Sequence, residues 1–214
     1  MISALLELWY LWLLVLLIFI YSLFKPKING IIGEKAVSII LSRLDSQKYK
    51  VINDVIVRVN GKTSQIDHLV ISNYGIFVIE TKNYKGWIVG DEKSEYWTQV
   101  IYSRKEKLYN PLRQNYGHVQ ALKNTLVDYP SIPYIPIVVF SINADLKVKT
   151  SSHVVYSVNL LKTIKRYKEE VITDSQKEEI HSIMLSSNVN DKATRKEHVK
   201  AIHTNITRRQ TRPL

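Results

Sequence analysis

The sequence predicts an α/β domain standing behind one N-terminal transmembrane helix. Three observations carry that expectation: an unbroken apolar run near the N-terminus, a series of alternating apolar segments closed by turn residues, and stretches with helical apolar spacing placed before and after them. At 214 residues with 45% hydrophobic content, the chain can hold one sizeable soluble domain plus extras. It has no cysteine, which removes disulfides, thiolate zinc sites and cysteine nucleophiles and fits a reducing compartment. Thirty Lys and Arg against 19 Asp and Glu leave a net charge of +11. That surplus favours phosphate-rich partners or anionic lipid headgroups and has no bearing on the fold.

The apolar run is LLELWYLWLLVLLIFIYSLF, Leu5 to Phe24, with Glu7 as its one charge. Twenty residues at a rise of about 1.5 Å cover a hydrocarbon core of about 30 Å. A cleaved signal peptide would need a basic start, a shorter apolar core and a small-residue cleavage site. Nothing basic precedes this run, and YSLFKPK closes it, so residues 1–24 are expected as a retained anchor. Trp9, Tyr10 and Trp12 at one end and Tyr21 at the other suit the two interfaces. Lys25 and Lys27 place the downstream domain in the cytoplasm by the positive-inside rule. The expected location is the cell membrane, single-pass, with a cytoplasmic domain.

Residues 25–32 read as a short linker. Glu34 to Leu44 is expected as a helix, with Val37, Ile40, Leu41 and Leu44 on one stripe. Glu34 lies three residues before Val37 and falls on that stripe, although an acid at a helix start is often only a capping or dipole partner. Tyr49 to Val59 alternates as a strand and ends at the turn signal Asn60-Gly61. Gln65 to Ser72 and Ile76 to Lys82 form the next strand pair, and Trp87 to Val89 with Tyr96 to Ile101 a further short one. Asn110-Pro111 opens a helix to about Leu126. Pro133 to Ile142 contains an apolar strand buried on both faces, Ser152 to Val158 holds another short strand, and helices of about Leu160 to Glu170 and Ser175 to Leu185 close the domain. Residues 33–145 are expected as the main domain, 146–188 as elements completing it, and 189–214 as a flexible basic tail. From Asp191 on, that tail carries seven basic residues and two acids.

The chemistry concentrates in QIDHLVISNYGIFVIETKNYKG, Gln65 to Gly86. Acids and bases are rarely buried in strands unless paired, metal-bound or functional. Strand alternation puts Gln65, Asp67, Leu69 and Ile71 on one face and Ile76, Val78, Glu80 and Lys82 on one face. A loop at Tyr74-Gly75 sets Asp67 opposite Lys82, and a loop at Asn73-Tyr74 sets it opposite Glu80. Either register brings the three charged residues together, whereas a bulge would break the parity. A structural salt bridge needs only one of the acids. Two close carboxylates need a cation between them, and Mg²⁺, or Mn²⁺, suits oxygen ligands with water and substrate phosphate completing its shell. Lys82 would then position or deprotonate a nucleophile or neutralise developing charge.

An acid, a gap of a dozen residues, then Glu-x-Lys in an apolar strand resembles the PD-(D/E)xK nuclease superfamily motif. GEKAV at Gly33, QIDHLVIS at Gln65, GIFVIETKNYKGWIVG at Gly75, Trp97 and NPLRQNYGHVQALK at Asn110 come in the order of the NERD, or nuclease-related, domain, and the likeness covers roughly Gly30 to Ile142. The resemblance implies a restriction-endonuclease-like mixed sheet flanked by helices, with Mg²⁺- or Mn²⁺-dependent hydrolysis of DNA at its edge. It implies Asp67 and Glu80 as metal-binding acids, Lys82 as the catalytic lysine and Glu34 as an assisting acid. Gln114 and His118, spaced i, i+4 on one helix face, are implied to hold phosphate or orient the site. Gln65 and Lys85 are further substrate-binding candidates. The alternative function is a catalytically inactive nucleic-acid-binding or signalling module at the membrane.

Three other features have a plainer account. His68 points away from Asp67 and reads as a packed or edge histidine. Tyr84, Trp87, Tyr96 and Trp97, with Lys85, Lys93 and Lys105 nearby, suit stacking on bases, but aromatics in short strands are more often core. Arg208, Arg209 and Arg212 of the tail suit nucleic acid or the anionic inner leaflet equally well.

Overall fold

The computed structural model describes residues 9–189. Glu7 and the start of the apolar run, together with the basic tail and its lipid or nucleic-acid contacts, lie outside the described residues.

The chain enters as helix α1, Trp9–Leu41, and the expected linker at residues 25–32 is part of it. Its first half, Trp9 to Phe24, carries no charge and is exposed on every side, and no other element covers it. By length and composition it is the one helix among the described residues able to cross a membrane. Pro26 sits inside it, so the carbonyl of Ser22 loses its helical donor. Only the last turns meet the domain, through buried Gly33, Val37 and Leu41.

Strands β1 (Tyr49–Val59), β2 (Lys62–Ser72) and β3 (Gly75–Lys82) form an antiparallel meander. Asn60 and Gly61 join the first two with φ of 51° and 72°, the left-handed pair that a tight two-residue hairpin turn requires. β7 (Tyr134–Phe140) and β9 (His153–Tyr156) extend this sheet in parallel, giving the order β1-β2-β3-β7-β9. Between β3 and β7 the chain builds β4 (Gly86–Asp91), β5 (Tyr96–Ile101), β6 (Arg104–Tyr109) and helix α2 (Pro111–Thr125). With β8 (Ala144–Lys149), these strands make a second mixed sheet of order β6-β5-β4-β8. The chain closes through a 3₁₀ turn at Ser157–Asn159, a short α3 (Leu160–Ile164) and α4 (Asp174–Ser187). This is a mixed α/β architecture consistent with a restriction-endonuclease-like fold.

Three apolar clusters hold the layers together. On one face of the large sheet Leu69, Ile71 and Val78 pack under Leu122 of α2 and Ile180 and Met184 of α4. On the other face Val70, Phe77, Ile79 and Val139 meet Val37 and Leu41 of α1 and Leu160 and Ile164 of α3. β3 is therefore buried on both sides until its last two residues, Thr81 and Lys82. Trp97, fully buried and stacked on Phe140, joins the second sheet to the first. It belongs to the core and is not available to stack on a base. Tyr84 leans on the same Phe140 ring.

α3 stops well short of the expected Glu170 because Tyr167 leaves the helical path. Its ring meets Phe77 edge-on at 5.3 Å, and its hydroxyl bonds His153 Nε2 at 2.8 Å. α2 starts where expected: the Asn110 side chain accepts from Leu112 N at 2.9 Å, and Pro111 occupies the first turn.

Candidate active site

The β2–β3 turn falls at Asn73-Tyr74, since Ser72 pairs with Gly75 and His68 with Ile79. Asn73 is locked there from a distance. Its carbonyl accepts from Val171 N and Ile172 N, and its side chain bonds Ile172 O, Asp174 and the buried Lys177. In this register Asp67 lies opposite Glu80, one of the two arrangements expected. The ladder stops one pair short of them, because the Asp67 carboxylate itself takes the Thr81 N–H, Oδ2 to N 2.7 Å.

Glu80 is 2% exposed, and both its oxygens are engaged. Oε1 accepts from Lys82 Nζ at 2.6 Å, and Oε2 lies 3.0 Å from His118 Nε2. Lys82 Nζ also donates to Gln114 Oε1 at 3.0 Å, and the far ring nitrogen of His118 meets Ser64 Oγ at 2.8 Å. Gln114 and His118, one turn apart on α2, thus clamp the lysine and the glutamate from above. Burial pushes the Glu80 carboxyl upward, but the Lys82 charge and the His118 bond outweigh it and hold the pKa at about 2. Lys82 is raised: burial lowers it, and the pull of Glu80 more than compensates. Asp67 moves the other way, well above the usual carboxylate range, through burial first and then the Glu80 charge, with Glu34 adding to it. Two carboxylates in one site have split, and only one of them is neutralised by the protein's own cations.

These groups open into a cleft of about 970 Å³, lined among others by Glu34, Asp67, Glu80, Lys82, Lys85 and Gln114. His118 stands behind Glu80 and does not line it. Gln65 is elsewhere, and the reason is local. Asp54 takes a left-handed φ of 58°, and across it the inward residues change phase, from Ile52 to Val55 on β1 and from Ile66 to Leu69 on β2. Gln65 therefore leaves the Leu69 face and donates Nε2 to Asp54 Oδ1 at 2.8 Å. His68 is packed, as expected, at 1% exposure against Asn53 Oδ1, and burial lowers its pKa to about 4.

The structure adds residues that sequence reasoning missed. Gln99, Ile101 and Arg104 bring the second sheet to the cleft, and Lys25, Pro26 and Asn29 bring α1 to it. Arg104 had no visible signal because β6 itself was not expected. Among the described residues no three His, Asp or Glu side chains gather in metal-ligand geometry. The donor set is instead two carboxylates with spare lone pairs and a deficit of positive charge at Asp67. That fits a hard cation held mainly by water and substrate oxygens, and not a closed all-protein cage. A second concavity of about 470 Å³ carries Arg43, Lys48 and Lys165, but Arg43 and Lys165 stand just past the C-terminal ends of α1 and α3. There they offset the helix dipoles, and no acid pair accompanies them.

The family profile for the nuclease-related domain (NERD) matches residues 29–141. An uncharacterized protein of Bacillus anthracis is 41% identical over 183 residues, spanning 83% of this chain and 85% of that one. No solved structure matches the chain.

Proposed function

The chain belongs to the nuclease-related domain family, of the PD-(D/E)xK nuclease-like superfamily, and from that premise we propose that it is a membrane-anchored, metal-dependent nuclease hydrolysing DNA phosphodiester bonds on the cytoplasmic side. One observation carries the proposal: Asp67, Glu80 and Lys82 converge at the open end of the β2–β3 hairpin, at the floor of a cleft.

Asp67 and Glu80 would hold Mg²⁺ or Mn²⁺, with Glu34 beside them. Such an ion would polarise the scissile phosphoryl group and lower the pKa of a bound water. The protein's own groups divide the remaining work. Lys82 keeps its proton, being raised and paired to Glu80, so its chemistry is stabilisation of the charge that develops on the phosphoryl oxygens, not abstraction of a proton. Gln114, which lines the cleft, orients Lys82, and His118, behind Glu80, orients that carboxylate without reaching the substrate. Lys85, exposed on the rim, is the phosphate contact on the second-sheet side.

The test uses the full-length chain in detergent with single- and double-stranded DNA and RNA, in Mg²⁺, Mn²⁺ or EDTA. Metal-dependent cleavage is expected, reduced at least about a hundredfold in Asp67→Ala, Glu80→Ala and Lys82→Ala. Folded protein that binds nucleic acid under every condition without cutting it would replace the nuclease by a binding module.

A further inference from the structure

The cleft has a wall that the hydrolytic machinery does not explain. Ser22, Lys25, Pro26 and Asn29 line it, and all four belong to α1. The helix is held there by specific contacts. Asn83, next to Lys82, donates its side-chain N–H to the Asn29 carbonyl at 2.7 Å. Gly33 lets the backbone approach so closely that a Cβ added to it would stand 2.6 Å from the Asn83 Cβ. The residue after the lysine of the site therefore clamps the helix that leads to the apolar run. Lys25 has no acidic partner among the described residues, and its ammonium stands over the Tyr21 ring, 6.0 Å from Nζ to the centroid. Lys85 lies on the same cleft, also without an acid partner among the described residues, and Glu34, Asp67 and Glu80 line that cleft with them.

We propose that α1 is a working part of the substrate site: Lys25 binds one backbone phosphate of the nucleic acid, as Lys85 binds another, and Asn29 lies under the bound strand. This rests on the nuclease reading and deepens it. The acids of the cleft repel a polyanion, so cations lining the same cleft are what hold a strand over them. Nine residues of continuous helix separate Lys25 from Glu34, about 14 Å along the axis. The apolar run ends immediately before Lys25, so the strand is gripped next to the point where the helix enters the bilayer. The anchor then selects nucleic acid lying along the membrane surface and supplies one of the contacts that bind it.

The test measures binding of a fluorescent, nuclease-resistant phosphorothioate single-stranded DNA to the full-length chain in detergent, with Mg²⁺, across a salt series. Lys25→Gln is expected to weaken binding several-fold and to lower the slope of log affinity against log salt by about 0.7, the value of one lost phosphate contact on a single strand. Lys27→Gln, the same charge change two residues on and off the cleft, is expected to leave both unchanged. A fold-independent readout comes from the absence of native cysteine. Maleimide labelling of Asn29→Cys is expected to slow when the DNA is bound, and labelling of Ile31→Cys, on the exposed side of α1, is not. Wild-type binding with an unaltered slope in Lys25→Gln and unprotected Asn29→Cys would overturn the proposal and leave the nuclease reading standing. A wild-type chain that binds no nucleic acid would overturn both.

Discussion

Asp67 and Glu80 face each other with opposite electrostatic fates, and the difference lies in what each touches. Glu80 has Lys82 and His118, whereas Asp67 has one backbone N–H and the repulsion of its neighbours. A carboxyl whose folded pKa is raised above 3.8 contributes stability at low pH that is lost as pH climbs through the folded value. Asp67→Asn keeps an oxygen for Thr81 N–H and removes that loss. In EDTA at neutral pH the variant is expected to melt above the wild type, and the gap to close as the pH is lowered towards 4. His68, whose depressed value costs stability between 6.5 and about 4, is common to both chains and cancels in the comparison. Mg²⁺ is expected to raise the melting temperature of the wild type and not that of the variant. A variant that melts no higher than the wild type in EDTA would contradict the electrostatic account. The charged trio was legible in the sequence because Glu-x-Lys and an upstream acid share strand parity. The displacement of Gln65 was not, because one left-handed residue, Asp54, shifts the phase of two strands, and an aspartate in a strand gives no sign that it will do so.

Elements with an apolar signature were legible, and those defined by remote contacts were not. β1, the Asn60-Gly61 turn and α2 begin where local pattern and turn chemistry place them. β6 reads RKEKLY, four of its six residues exposed charged side chains, a composition that protects a sheet edge and hides the strand from any hydrophobic count. β8 is short and pairs with β4, more than fifty residues earlier. The register of β2 with β3 depends on Asn73 and its partners about a hundred residues away. The linker was misplaced for a different reason: Pro26 and Gly30 are breakers by propensity, yet α1 runs through both, held at its end by Gly33 against Asn83. Two mid-helix glycines test that contact. At Gly117 on α2 an added Cβ meets nothing within 4 Å, so Gly117→Ala is expected to gain up to about 1 kcal/mol, a rise of about 2–4 °C in melting temperature. Gly33→Ala has the same intrinsic gain and is expected to show none of it, because its Cβ collides with Asn83. Equal melting shifts in the two variants would mean that α1 does not press on the β3 exit.

At the scale of the molecule, a basic chain with a net charge of +11 and an exposed apolar helix can reach a membrane by two routes that are easily confused. Adhesion of surface lysines to anionic lipid is electrostatic, and at about 1 M salt the screening length falls to about 3 Å, which dissolves it. A spanning helix is held by buried apolar area, which salt does not weaken. From Trp9 to Phe24 the side chains are exposed all round, so the folded domain offers this helix no protein surface to bury against. The chain is therefore expected to stay with the membrane pellet through high-salt and alkaline washes and to enter solution only with detergent. Protease added from outside intact cells is expected to leave the domain whole, as a cytoplasmic placement by Lys25 and Lys27 requires. Release by salt alone would make the attachment peripheral. The cleft would then lose its fixed position at the bilayer, although Lys25 would still form its wall.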